Sequence, residues 1–116
     1  MQIWLKRAYE PPGGQDGTRV LVDRLWPRGL SEEQAAIDHW FKALAPSDEL
    51  RRWYGHDPER WSQFQARYRD ELEQRGEQLA ALCKLVEQGR VTLVYAARDE
   101  DYNNARVLKA YLEQRC

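Results

Sequence analysis

Arg19-Val20-Leu21-Val22-Asp23 is an apolar, partly β-branched run that stops abruptly on charge, as a strand buried on both faces of a sheet does. Val91-Thr92-Leu93-Val94-Tyr95-Ala96 has the same character, and Ile3-Trp4-Leu5-Lys6-Arg7-Ala8 opens the chain with a further strand-like segment. Helix signals fill the space between. Ser31-Glu32-Glu33-Gln34 has the form of a capping box with acids in the first turn, which predicts a short helix ending near Ile37. Ser47-Asp48-Glu49 starts a second over Leu50 to Tyr54, and Asp57-Pro58-Glu59 supplies an N-cap, a proline at the first helical position and an acid for a third.

From Trp61 the apolar residues Phe64, Tyr68 and Leu72 fall along one helical face. After Gly76 the stripe resumes as Leu79, Leu82, Cys83 and Val86, and Gly89 ends it. Asn103 to Gln114 forms a last helix with Ala105, Leu108 and Leu112 inward. Strands alternating with helices predict an α/β fold: a small open, mostly parallel sheet with helices packed on its faces, in a single domain over residues 1–116. One pairing stays open. The link Glu10 to Gly17, with two prolines and three glycines, is shorter than the crossover a parallel pair usually needs, so the first two strands are left with an antiparallel alternative.

The length is that of one domain able to bury its own core. With 42% hydrophobic and 32% charged residues and a mean hydropathy of -0.86, the chain reads as globular. It has neither an apolar run long enough for a membrane span nor the features of a signal peptide, so a cytoplasmic location without membrane contact is expected. Cys83 and Cys116 have no Cys-x-x-Cys spacing, and two free thiols are expected. The net charge of -1, with acids interleaved among the bases, disfavours nucleic-acid binding. Arginine makes up 14 of the 18 basic residues, through anion recognition or through a GC-rich genome.

Ligands of open α/β sheets bind beyond the carboxyl ends of the strands, which here deliver Asp23-Arg24-Leu25-Trp26-Pro27-Arg28-Gly29 and Ala97-Arg98-Asp99. Arg24, Arg28 and Arg98 are candidates to clamp a phosphate or carboxylate, Trp26 to stack on a ring, and Gly29 to admit close backbone approach. Asp23 and Asp99 are candidate bases. The alternative is that these acids and arginines satisfy one another in a structural network, with Trp26 and Pro27 packed beneath. His56 lies in a turn where it can reach a cleft, oriented by Asp57, and is a third acid-base candidate. Tyr95 at a strand end, Lys42 before Ala45-Pro46, and Asn103 at a helix start complete the candidate ligand-binding set. Ser47 reads as a helix cap and His39 as packing.

Two distant histidines without a cysteine cluster do not make a zinc site, and no metal or cofactor is expected. The chain has no Gly-x-Gly-x-x-Gly, Walker loop or Gly-x-Ser-x-Gly elbow, and Gly13-Gly14 precedes a strand where a phosphate loop would follow one.

Val20-Leu21-Val22-Asp23-Arg24-Leu25-Trp26-Pro27-Arg28-Gly29, Leu44-Ala45-Pro46-Ser47, Trp53-Tyr54-Gly55-His56-Asp57-Pro58, Leu93-Val94-Tyr95-Ala96-Ala97-Arg98-Asp99 and Tyr102-Asn103-Asn104-Ala105 resemble the YeaO-like family, domain of unknown function 488. The resemblance runs over essentially the whole chain. It implies a small bacterial α/β domain and transfers no activity.

These observations support a protein that binds a small anionic ligand, a phosphate- or carboxylate-bearing molecule, at the strand ends; whether it acts on that ligand as an enzyme stays open. The alternative is a non-catalytic protein-interaction module anchored by exposed members of the set Trp26, Trp40, Trp53 and Trp61. A nucleic-acid-binding domain is the third and least favoured reading. Oligomeric state is not legible.

Overall fold

A computed structural model describes all 116 residues. The strands are β1 (Ile3–Arg7), β2 (Thr18–Leu21), β3 (His39–Trp40) and β4 (Val91–Tyr95). The α-helices are α1 (Glu32–Ala35), α2 (Asp48–Tyr54), α3 (Trp61–Glu73), α4 (Gly76–Gln88) and α5 (Asn104–Arg115), with 3-10 turns at Lys42–Leu44 and Pro58–Arg60. The sheet has the order β1-β4-β2-β3, and every neighbouring pair is parallel. The small, open α/β fold read from the sequence is the fold observed.

The antiparallel alternative for the first two strands does not occur, because β1 and β2 are not neighbours. β4 lies between them, with Leu93 opposite Leu5 on one side and Val20 on the other. The irregular link therefore steps across one intervening strand, a lateral shift of about 10 Å at roughly 4.8 Å per strand, and runs back from the level of Tyr95 to that of Val91, about 13 Å; both lie within the reach of ten residues at up to about 3.3 Å each. No helix is needed for that crossing. Gly17 completes it: its φ is +69°, and a Cβ there would lie 2.3 Å from the Arg90 carbonyl oxygen. Only glycine allows the approach that lets the Thr18 N–H donate to that same carbonyl at 3.0 Å.

Alternation along the strands divides the molecule. Ile3, Val20, Val22, Val91, Leu93 and Tyr95 face the main core, where they meet α2 through α5. Each large side chain fully buried there, such as Leu72, Leu82 or Leu108, contributes about 1.5–3 kcal/mol. The opposite face has a thinner cover. Ala8, Leu21 and Val94 pack against Trp26, Leu30 and Ile37 from the segment around α1. Beside them a charged cluster closes the face: buried Asp16 accepts from Arg19 at 2.7 Å, from Lys6 at 3.2 Å and from the Gly13 N–H at 3.0 Å. The long helices thus gather on one face, leaving only the single turn of α1 on the other.

The caps read from the sequence form. Ser31 and Gln34 make a reciprocal capping box, and α1 stops at Ala36, whose φ of 50° is left-handed, one residue before the expected Ile37. Ser47 caps α2, Asp57 caps the turn leading into α3, and Asn103 caps α5. The two-residue β3 was not expected, being too short for any alternation to register; it is held by Val20–His39 and Leu21–Trp40 pairing. His39 is accordingly exposed on the sheet edge, where its packing is limited to the Phe41 ring, 6.3 Å away between centroids.

The expectation of two free thiols is corrected: Cys83 on α4 and Cys116 at the end of α5 form a disulfide. Their Cα atoms are 5.4 Å apart, a separation that suits such a bond, because the carboxyl end of α5 lies against α4. A separation of 33 residues in the chain carries no sign of that contact. No helix is long and apolar enough to cross a membrane.

Candidate functional site

Parallel strands end on the same edge of a sheet, and three of those ends build a cleft here. The loop after β1 supplies Tyr9, the segment after β2 supplies residues 23–28, and the segment after β4 supplies Ala96 and Ala97. The far wall comes from α2 and the turn behind it through Arg51, Tyr54 and His56, and from the start of α5 through Asn103 and Asn104. The cleft encloses about 340 Å³, within the size range of small-molecule sites.

Asp23 forms part of the floor. Its Oδ2 accepts from the Ala96 N–H at 2.8 Å, and its Oδ1 accepts from the Asn104 side chain at 3.2 Å. Asn104 also donates to the Val22 carbonyl at 3.0 Å, so one amide joins the end of β2 to the start of α5. Burial pushes the Asp23 carboxyl above its ordinary value, against the opposing effect of those hydrogen bonds and the charge of Arg51. No cation forms an ion pair with it. Beneath, the wholly buried Tyr68 hydroxyl donates to the Leu44 carbonyl, and burial pushes its pKa far up.

The arginines around the cleft differ in how they are held. Arg24 donates to the Pro46 carbonyl at 3.2 Å and lies 3.8 Å from Asp48, which also pairs with Arg51 at 3.1 Å. Arg28 is exposed; only its backbone carbonyl is engaged, by the Tyr9 hydroxyl at 3.0 Å, leaving the guanidinium without a hydrogen-bond or ion-pair partner. Trp26 is half-buried, donates from its indole to the Leu30 carbonyl at 2.8 Å, and meets Trp40 edge-on with ring centroids 5.6 Å apart. Trp40 in turn donates to the Asp23 carbonyl at 2.7 Å. The indoles thereby fix the course of residues 23–30.

Asp23, Arg24, Trp26, Arg28, His56 and Asn103 meet around this one cleft. His56 is exposed, with a left-handed φ of 57° directly after Gly55. Asp57 does not orient it: that carboxylate caps Glu59 and pairs with Arg60 at 3.7 Å. Asn103 is committed to α5, accepting from the Arg106 N–H and donating to the Asp99 carbonyl.

The other candidates lie elsewhere. Arg98 and Asp99 border an adjoining depression that shares His56, Ala96 and Ala97 with the cleft. Asp99 accepts from the Tyr102 and Asp101 N–H groups, which hold its carboxyl below the ordinary value. Tyr95 points into the main core. Lys42 sits 4.5 Å above the Trp40 ring. Gly29, with φ +84°, makes an exposed turn with open space where a Cβ would be. None of Asp23, Arg24, Arg28 and Asp99 pairs with another, so the self-satisfying network considered from the sequence does not form.

Tyr9, Arg51, Tyr54, Tyr102 and Asn104 also line the cleft and were not singled out from the sequence. Tyr9 was within reach of the strand-end rule once β1 is known to be parallel to β4. Arg51 carries no such signal, being one arginine among several on the surface helices. Cys83 is in the disulfide, and no three His, Cys, Asp or Glu side chains gather closely enough to hold a metal ion.

Known relatives match along the full length. A family model described as the inactive DUF488-N3 subclade matches residues 2–116. An uncharacterised protein of Mycobacterium tuberculosis is 42% identical over 114 residues, covering 98% of this chain and 96% of its own, and a Mycobacterium bovis protein matches to the same extent. The uncharacterised protein YeaO of Escherichia coli is 38% identical over 112 residues, covering 97% of each chain. No solved structure matches the chain. The chain belongs to the YeaO-like DUF488 family, within the subclade described as inactive.

Proposed function

We propose that this protein is a non-catalytic binding domain that takes a small anionic ligand into the strand-end cleft. The observation that carries the reading is Arg28: a guanidinium at the cleft with no partner of its own, beside Arg24 and Arg51. A free planar cation is suited to bidentate capture of a phosphate or carboxylate. The absence of catalysis is supported by the subclade's description and by the way the candidate acids are used. Asp23 ties β4 and α5 together, Asp99 turns a loop, and His56 has no carboxylate hydrogen-bonded to it. The cytoplasm stays part of the reading, although disulfides are uncommon there; rapid acid quenching of cells followed by thiol alkylation would show the state of Cys83 and Cys116.

The test is a thermal-shift series with phosphate- and carboxylate-bearing metabolites on the wild type, Arg28→Ala and Arg98→Ala. A ligand at a hundred times its Kd stabilises by about 2.7 kcal/mol. That shift is expected to be lost in Arg28→Ala and kept in Arg98→Ala, whose side chain borders only the adjoining depression. An equal shift in wild type and Arg28→Ala would remove the reading. The interaction-module alternative has less to draw on: of its four tryptophans, Trp26, Trp53 and Trp61 are partly buried, and Trp40, 38% exposed, is tied by its indole N–H.

A further inference from the structure

An anion site has no evident use for a carboxylate in its floor, yet Asp23 lines the cleft. It is half-buried and has no cation within ion-pair reach; each oxygen accepts one hydrogen bond, from the Ala96 N–H and the Asn104 amide. A carboxylate has room for about four such bonds, so two acceptor positions are left over. Charges partly withdrawn from water and left without a counter-ion are costly, and a half-buried acceptor on a cleft wall is most simply explained by a donor that arrives with the ligand.

The rest of the cleft limits what that ligand is. Its mouth is bordered by the exposed side chains of Tyr9, Leu25 and Tyr102, at 44%, 60% and 40% exposure. Such surfaces suit a flat, weakly polar body, and aromatic faces accept stacked rings. Arg28 is free to take an anionic group.

Resting on the anion-binding reading above, we propose that the ligand is a nucleoside monophosphate whose base presents two adjacent N–H donors to Asp23, the chemistry of guanine, while Arg28 takes the phosphate. Guanine offers a ring N–H beside an exocyclic amine, which match the two oxygens of one carboxylate. Adenine places a ring acceptor next to its amine, and that acceptor would face the carboxylate unpaired.

The experiment compares GMP, AMP, guanosine and ribose 5-phosphate by calorimetry on the wild type, Arg28→Ala and Asp23→Asn. GMP is expected to bind the wild type at least tenfold more tightly than AMP, the scale of a hydrogen bond to a charged acceptor. Asp23→Asn should erase the preference and leave ribose 5-phosphate binding unchanged; Arg28→Ala should weaken both nucleotides and leave guanosine unaffected. In wild-type protein the Ala96 amide resonance should shift with GMP and not with ribose 5-phosphate, a readout that does not depend on the variant folding. Ribose 5-phosphate as tight as GMP, or GMP and AMP alike, overturns the base assignment while the anion reading survives. Guanosine binding that depends on Asp23, with no response to any phosphate-bearing probe beyond it, upholds the base edge and removes the anion reading. No binding of any of the four probes overturns the nucleotide assignment, and the anion reading is then decided by the wider thermal-shift series with phosphate- and carboxylate-bearing metabolites.

Discussion

Asp16 shows how much of this fold can depend on one side chain in an irregular loop. Its carboxylate is 7% exposed and bridges Arg19, itself 5% exposed, and Lys6, while its backbone carbonyl accepts from the buried Thr92 hydroxyl at 2.7 Å. Arg19 passes the connection on to the Ala35 and Ala36 carbonyls at the end of α1. Burial pushes the Asp16 carboxyl up, but the Gly13 N–H and the Lys6 and Arg19 hydrogen bonds outweigh it and hold the group below 3.8. Replacing Asp16 by Ala leaves Arg19 buried without its counter-ion and is expected to cost roughly 3 kcal/mol at neutral pH, measured by urea unfolding. The sign of the pH dependence follows from the lowered value. The stabilisation from Asp16 is fully present above the unfolded chain's 3.8 and is lost as pH falls through the lower folded value. The gap between wild type and variant should therefore hold from neutral pH down to about pH 4 and narrow below it; a gap already narrowed near pH 5 would contradict the assignment.

Among the elements, the caps were the most legible parts of the sequence, because a side-chain oxygen bonding the second or third residue onward is a local event. Ser47 shows what locality omits. Its hydroxyl accepts from the Leu50 N–H at 3.1 Å, as read, but it also donates to Glu71 of α3 at 2.6 Å, and its own N–H donates to the same carboxylate at 2.8 Å. The cap thus anchors α2, and with it Arg51, to α3. Ser47→Ala is expected to lower stability by about 1–2 kcal/mol, the upper part of the range for a lost cap, while Glu71→Gln, which keeps an acceptor for the Ser47 N–H, should cost less. Equal losses in urea melts would mean that the charge of Glu71, rather than the cap, carries the contact. The strands Thr18–Leu21 and Val91–Tyr95 were legible because burial on both faces leaves largely apolar runs. β3 was not, since two residues on an edge, both exposed, hold no pattern.

At the scale of the whole molecule, the strand-end rule found Asp23, Arg24, Trp26 and Arg28 because parallel strands must open on one edge, but only the three-dimensional order β1-β4-β2-β3 brings Tyr9 and Arg51 to them. The disulfide is the extreme case of such long-range information. Cys83 and Cys116 close a loop that contains β4 and all of α5, together with the strand end and the helix start that hold Asp23. Loop-closure entropy for 33 residues of separation corresponds to roughly 3–4 kcal/mol at 25 °C. For a domain of this size that is a fall in Tm on the order of 10 °C upon reduction. Calorimetry with and without a reductant on the wild type and on Cys83→Ser/Cys116→Ser measures it; the reduced wild type and the double variant should melt together, well below the oxidised protein. Because the cleft is built at the far end of α5 from Cys116, reduction at 25 °C should leave probe binding in the cleft unchanged. A loss of binding without a loss of folded signal would mean that α5 moves as a unit and that its start, with Asn103 and Asn104, is held in place from its other end.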